Sequence, residues 1–209
     1  MKQYHKIQTV YKRDPDNRFK TLLHGQYSLP EFEFLKDNPW VFTEKVDGTN
    51  IRIIWDGEKI TFGGKTDNAQ TPVPLLNRLN EMFLPKVETF ASVFGDTAVC
   101  LYGEGYGAKI QKVGGNYSAT QEFVLFDVKI ADWWLERPNV ADIAEKLGVD
   151  IVPIIGEGTL DDLEALVKSG FESKWGDFLA EGVVARPAVE LKTRNGSRII
   201  TKLKHTDFS

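Results

Sequence analysis

Within the stretch 43–57, TEKVDGTNIRIIWDG, Lys45, Asp47, Gly48 and Asn50 fall inside six residues, directly before the strand-like run IRIIW. A lysine amine, with a reference pKa of about 10.4, is protonated and unreactive at neutral pH. Desolvation or neighbouring cations can release its lone pair and make it a covalent nucleophile. A lysine at a strand end, followed by a glycine-containing turn, is well placed to meet a substrate. Asp47 could orient a metal-bound water or the amine itself. Lys202 and Lys204 stand two apart in a strand-like run, so both face one side, as phosphate contact requires. A surface lysine before an ordinary turn and a solvated strand face also account for these patterns taken alone.

The elements that position these residues follow from periodicity and punctuation. Residues 40–46 read as a strand running into Lys45. The runs 51–55 and 59–62 flank Asp56-Gly57, a hairpin signal, because these residues tolerate the positive φ of a tight turn. Residues 75–94 carry a helical stripe, Leu76, Leu79, Met82 and Phe83, broken or kinked at Pro85. Residues 98–102 and 123–130 look like buried strands. A helix is expected from Pro138 to Gly148, and another from an N-cap at Thr159 to Gly170. Runs 182–185 and 198–203 read as closing strands. Many strands, few helices and no regular β-α alternation predict an α+β fold of antiparallel sheets flanked by helices. The glycines of GEGYG are wrongly spaced for a dinucleotide fingerprint, and no phosphate loop ending in Gly-Lys-Ser/Thr is present.

Composition narrows the class. With 209 residues, 42% hydrophobic and 27% charged, the chain can bury a core. A net charge of −4 argues against a wholly basic nucleic-acid coat, although charge is uneven. Lys2, Lys6, Lys12, Arg13, Arg18 and Lys20 crowd one end; Arg186, Lys192, Arg194, Arg198, Lys202 and Lys204 crowd the other; residues 132–172 between them are mostly acidic. Basic ends and an acidic middle suit a phosphate-binding face with a solvated back, or merely solubilising charge. Cys100 is the sole cysteine, and His5, His24 and His205 have no ligand spacing, so neither an internal disulfide nor a Cys/His zinc site is expected. No signal-peptide core or membrane span is apparent, so a cytoplasmic protein with no membrane partner is expected.

Five segments, in order, carry a resemblance. Lys45-Val46-Asp47-Gly48, Leu101-Tyr102-Gly103-Glu104-Gly105, Phe123-Val124-Leu125-Phe126-Asp127, Glu181-Gly182-Val183-Val184 and Lys202-Leu203-Lys204 resemble the ordered motifs of the covalent nucleotidyltransferases. That superfamily comprises ATP-dependent DNA and RNA ligases and capping enzymes. Glu44-Lys45-x-x-Gly48-Thr49-Asn50 is most similar to RNA ligases of the nick-sealing type, which often carry histidine where this chain has Asp47. The chain stops just after the fifth motif, where relatives continue into an OB-fold or helical domain. The expectation is one nucleotidyltransferase (ATP-grasp-like ligase adenylation) domain over residues 1–209.

The resemblance implies an ATP-dependent RNA ligase that joins 5′-phosphate to 3′-hydroxyl ends through a lysyl-AMP on Lys45. Its cofactors would be ATP and Mg²⁺, with Mn²⁺ able to substitute. Its partner would be RNA ends in nicked, broken or structured RNA, and a monomer is favoured. Lys202 and Lys204 would contact the α-phosphate and help activate Lys45. Glu104 would accept from ribose hydroxyls, and Phe126 would stack on adenine, with Phe123 in reserve. Glu44 would accept from the adenine amino group. Asn50 would position the reacting ends, and Lys65 would lie near phosphates and the RNA end. Asp47 and Glu181 would hold waters around the metal. Arg194, Arg198 and the basic N-terminal segment could track the nucleic-acid backbone. A DNA or hybrid-duplex ligase, and a non-catalytic end-binding protein on the same fold, remain open at this point.

Overall fold

The computed structural model describes residues 2–209. In chain order its strands are β1 (Gln8–Thr9), β2 (Tyr11–Arg13), β3 (Leu22–Tyr27), β4 (Trp40–Lys45), β5 (Thr49–Trp55), β6 (Ile60–Gly63), β7 (Val99–Gly107), β8 (Gln121–Ile130), β9 (Trp133–Trp134), β10 (Ile154–Gly158), β11 (Gly182–Pro187) and β12 (Thr201–Lys204). Its helices are α1 (Pro30–Phe34), α2 (Val73–Phe83), α3 (Val87–Phe94), α4 (Gly114–Tyr117), α5 (Arg137–Leu147) and α6 (Leu160–Ser169). The described residues fall into two compact units. One takes the N-terminal residues as far as His5 together with Asp47–Val152, and the other takes Lys6–Val46 with Pro153–Ser209. The boundary between Val46 and Asp47 cuts the Lys-x-Asp-Gly motif.

The unit containing Asp47–Val152 is built on a five-stranded antiparallel sheet ordered β6-β5-β7-β8-β9. Alternation along β5 sends Ile51, Ile53 and Trp55 to one face, where they join Leu101, Phe123, Leu125 and Val128. Helices α2, α3 and α5 close that face with Leu75, Leu79, Phe83, Phe90, Val140, Ile143 and Leu147. On α2 the buried residues recur every four positions, and each contributes about 1.5–3 kcal/mol by leaving water. The stripe is centred on Leu75 rather than Leu76. Pro85 breaks the helix as expected, through a 3₁₀ turn at Leu84–Lys86. The hairpin at Asp56-Gly57 forms with a wider turn than two residues, because Trp55 pairs with Ile60. Asp56 Oδ1 accepts from the backbone N–H groups of Glu58 and Lys59, at 3.0 and 2.9 Å.

The other unit holds the five-stranded sheet β1-β12-β11-β4-β10 and the separate β2–β3 pair. All neighbours in the larger sheet are antiparallel except β1 with β12. Trp40, Phe42, Val183, Ala185 and Leu203 form its core face, covered by Leu160, Leu163 and Val167 of α6. Thr159 caps α6 in a reciprocal box with Asp162, and Gly148 ends α5 in the left-handed conformation. Several elements carried too little signal to be read from the sequence: β1, the β2–β3 pair, α1, α4, β9 and β10.

Candidate active site

In the unit built around β4, three neighbouring strands bring the cationic residues together. Gly182 of β11 pairs with Lys45 on one side and Lys204 on the other. Directly opposed residues share a sheet face, so Lys45 and Lys204 flank Gly182, while Lys202 lies opposite Val184 on that face. A methyl group at Gly182 would fall 2.1 Å from the Leu203 carbonyl oxygen, so only glycine admits this approach of β12. Glu181, the preceding residue, reaches both lysines. Lys45 Nζ donates to Oε2 at 2.6 Å, and Lys204 Nζ pairs with Oε1 at 2.7 Å. Lys45 is 20% exposed and Glu181 14%, so this is a partly desolvated cluster rather than a surface pair. Glu181 thus stands as a carboxylate between two of the cations, paired with both.

Glu44 does not join this group. Strand alternation turns it away from Lys45, onto the buried side of β4 with Trp40 and Phe42. It is 1% exposed, accepts from Ser173 Oγ at 2.5 Å and from the Lys174 backbone N–H at 2.8 Å. Its carboxylate therefore anchors the 173–175 turn, and the expected adenine contact is corrected on that ground. Arg198 is likewise corrected as a backbone-tracking residue. Its side chain is 2% exposed and donates from Nε and Nη2 to Glu190 Oε1, at 3.1 and 3.0 Å. Arg194 remains exposed.

The unit built around β5 and β7 holds the remaining candidates on the sheet face away from its core. Asn50 pairs across strands with Glu104, which pairs with Val124. Asn50 Oδ1 is buried and takes no hydrogen bond from the described residues, an arrangement that costs free energy unless a ligand or water supplies a donor. Gly48 passes so close to β7 that a Cβ there would meet Gly105 O at 2.2 Å and Glu104 Cγ at 2.9 Å. This close crossing is what the glycine of Lys-x-Asp-Gly permits. The Asp47 backbone N–H donates to Tyr117 Oη at 3.2 Å, and the Gly48 carbonyl accepts from Gln111 Nε2 at 3.0 Å. The turn is thus held from its far side.

Phe126 and Asp127 are chain neighbours, and simple alternation would put them on opposite faces. A register shift in β8 removes that conflict: Tyr102 pairs with Asp127, but Gly103 pairs with Leu125, leaving Phe126 as an extra residue. Both then meet Tyr4, which sequence reasoning missed. Tyr4 Oη donates to Asp127 Oδ2 at 2.8 Å, and its ring stands edge-on to Phe126 with centroids 5.1 Å apart. Tyr4 stacks on His5 at 4.4 Å and packs against Tyr102 and Trp134. Tyr102 Oη donates to the Lys2 carbonyl at 2.7 Å, and burial raises the Tyr102 phenol well above its ordinary range. The N-terminal residues are therefore part of this face. Phe123 packs in the core, 1% exposed.

Lys65 is exposed on the turn after β6. Arg52, also missed, holds that turn from beneath: it is 2% exposed, and donates from Nε to Gly64 O at 2.9 Å and from Nη2 to Asp67 Oδ1 at 2.8 Å. The hydrogen bond and charge of Arg52 hold the Asp67 carboxyl below its usual range. Among the described residues, no three acidic, histidine or cysteine side chains gather closely enough to ligate one metal ion. No helix among them is long and apolar enough to cross a membrane.

Similar solved structures are of the RNA ligase of Naegleria gruberi. A mutant form with ATP and Mn has a TM-score of 0.70 at 17% identity, the match covering 98% of this chain and 56% of that one. The form with PPi gives 0.67 at 18% identity, covering 95% and 56%, and a mutant form with AMP and Mn gives 0.67 at 17%, covering 95% and 56%. At such identity the likeness establishes the α+β fold, and this chain spans little more than half the length of those it matches. The model of the RNA ligase family matches residues 38–204. That span runs through both units and takes in all five motifs, from Lys45 to Lys204, so the chain belongs to the RNA ligase family.

Proposed function

We propose that this chain is the nucleotidyltransferase domain of an ATP-dependent RNA ligase, with Lys45 as its covalent nucleophile. One observation carries the reading: Lys45 and Lys204 flank Gly182 on one sheet face and share the carboxylate of Glu181, with Lys202 one step along the strand. Lys45 Nζ attacks the α-phosphorus of ATP; the N–P bond forms as the bond to pyrophosphate breaks, leaving a lysyl-AMP. AMP then passes to the 5′-phosphate of an RNA strand, and a 3′-hydroxyl displaces it to close the phosphodiester. Charge on phosphorus must be spread at each step, which Lys202 and Lys204 are suited to do. Solved relatives carrying ATP, AMP, PPi and Mn support a nucleotide and a divalent cation as cofactors.

The remaining residues take roles suited to their surroundings. Asn50 offers a buried acceptor with no donor among the described residues, fitted to a polar ligand group. Glu104, its cross-strand partner, is assigned to ribose hydroxyls, and Phe126 to the base. Lys65, on its braced turn, is assigned to the RNA end. Scattered carboxylates suit a mostly hydrated Mg²⁺ better than a dry cage. Asp47 and Glu181 are each assigned to such an ion through water, and when bound it would neutralise phosphate charge. We read residues 1–209 as a single adenylation domain.

The test is mass analysis of the protein after ATP and Mg²⁺. Wild type should gain one AMP in an acid-labile link, and Lys45→Ala should gain none. A wild-type protein that is folded yet takes up no nucleotide would overturn the reading. Nicked RNA, DNA and hybrid duplexes offered to the adenylylated enzyme identify the polynucleotide that it seals.

A further inference from the structure

The β2–β3 pair is joined by residues 14–21, DPDNRFKT. Arg18 and Phe19 both adopt left-handed backbone, with φ of 51° and 62°. L side chains resist this conformation, a bulky one most of all, and glycine would take it freely. Nor does burial compensate, because Phe19 is 61% exposed. The turn is nevertheless well braced. Phe19 N–H donates to Asp14 O at 2.8 Å, Arg18 N–H to Pro15 O at 3.2 Å and Lys20 N–H to Asn17 O at 3.1 Å. Arg13 Nη1 lies within 3.5 Å of the Phe19 and Lys20 carbonyl oxygens. A braced turn that holds an aromatic ring out in water, against its own backbone preference, is strain of the kind that clusters at ligand sites.

Chemistry around the ring indicates the ligand. Lys12, Arg18 and Lys20 are exposed on the same hairpin; Asp16 is the one exposed acid there, since Asp14 is partly buried and its Oδ1 accepts from the Asp16 N–H. An exposed π-face flanked by cations suits unpaired nucleotides, whose bases stack while their phosphates pair with Lys and Arg. The hairpin is also anchored to the lysine-bearing strand. Arg13 Nη2 binds Asp207 Oδ1 at 2.7 Å, and Asp207 Oδ2 accepts from the backbone N–H of Lys204 at 2.9 Å. We propose that the tip of the β2–β3 hairpin is an RNA-binding site, with Phe19 stacking on an unpaired base and Lys12, Arg18 and Lys20 on phosphates. The proposal rests on the reading that RNA is the substrate.

Conformation and binding should respond in opposite directions. Anisotropy titration with a labelled single-stranded RNA of about twelve nucleotides measures affinity. Phe19→Gly should melt no lower than wild type, yet bind at least about fivefold more weakly, whereas Phe19→Trp should retain affinity. Arg18→Gly should reduce the slope of log affinity against log salt by about 0.7, one phosphate contact on a single strand. Affinity of Phe19→Gly within about twofold of wild type would overturn the proposal, as would wild-type binding to anionic phospholipid vesicles but not to RNA. Adenylylation of wild type without RNA separates the two readings. A protein that takes AMP but binds RNA equally with and without Phe19 sinks the hairpin site alone. One that takes no AMP but loses RNA affinity in Phe19→Gly sinks the ligase reading alone.

Discussion

At the scale of the residue, Glu181 is the hinge of the cluster. Its two oxygens hold Lys45 and Lys204 at 2.6 and 2.7 Å, so one negative charge sets the positions of two cations. Glu181→Gln preserves shape but removes that charge, and because an amide nitrogen donates and cannot accept, one of the two lysines also loses its hydrogen bond. Adenylylation of Lys45 should fall by about a hundredfold or more, in line with the loss of one preorganised electrostatic group. The melting temperature should also fall, because the cluster is partly desolvated and two lysines lose the charge that paired them. Equal rates of AMP uptake in mutant and wild type would remove Glu181 from the chemistry. Much of this cluster was legible beforehand: Lys45, Glu181, Lys202 and Lys204 were all named from their motifs. Glu44 was misassigned although the signal was present, because neighbours on a strand point to opposite faces.

At the scale of the element, β11 makes the cluster possible. It runs between β4 and β12, and Gly182 is the point where both neighbouring strands carry a lysine. Gly182→Ala would drive a methyl group into the Leu203 carbonyl and the Lys204 Cα, at 2.1 and 2.8 Å, and backbone cannot yield as a side-chain end does. A loss of about 1–3 kcal/mol in denaturant unfolding is expected, together with weaker adenylylation as β12 shifts. An unchanged denaturation midpoint would show that β12 accommodates the methyl group. Helix ends were readable here because their signals are local: Thr159 caps α6 and Gly148 ends α5. The β2–β3 hairpin was not, since its turn puts arginine and phenylalanine where turn chemistry expects glycine or asparagine.

At the scale of the whole molecule, the two units have separate apolar cores, and Cys100 reports on one of them. It is fully buried in β7, and burial raises its thiol to about 11. At pH 8 about one such thiol in a thousand would be the reactive thiolate. Folded protein should therefore resist an alkylating reagent for as long as the unit built on β7 stays closed, and denaturant should expose a single reactive thiol. Rapid labelling under native conditions would show that this core opens readily. Charge, too, looks different at this scale. The basic ends seen in the sequence are partly neutralised, Arg13 by Asp207 and Arg198 by Glu190, leaving Lys12, Arg18 and Lys20 exposed on the hairpin.

The order and types of the chemical residues belong to the chain itself: a lysine before Asp-Gly, a Gly-Glu-Gly strand, a Glu-Gly strand and paired lysines can be read without coordinates, as can the helix caps and the α+β class. Those features depend on neighbours in sequence. Which lysine meets which carboxylate, which side of β4 Glu44 takes, how an extra residue in β8 aligns Phe126 with Asp127, and that Tyr4 lies against both were settled only by strand register and by contacts between residues more than a hundred positions apart. Register is a property of paired strands, and a shift of one residue reverses every face, so no single segment contains it.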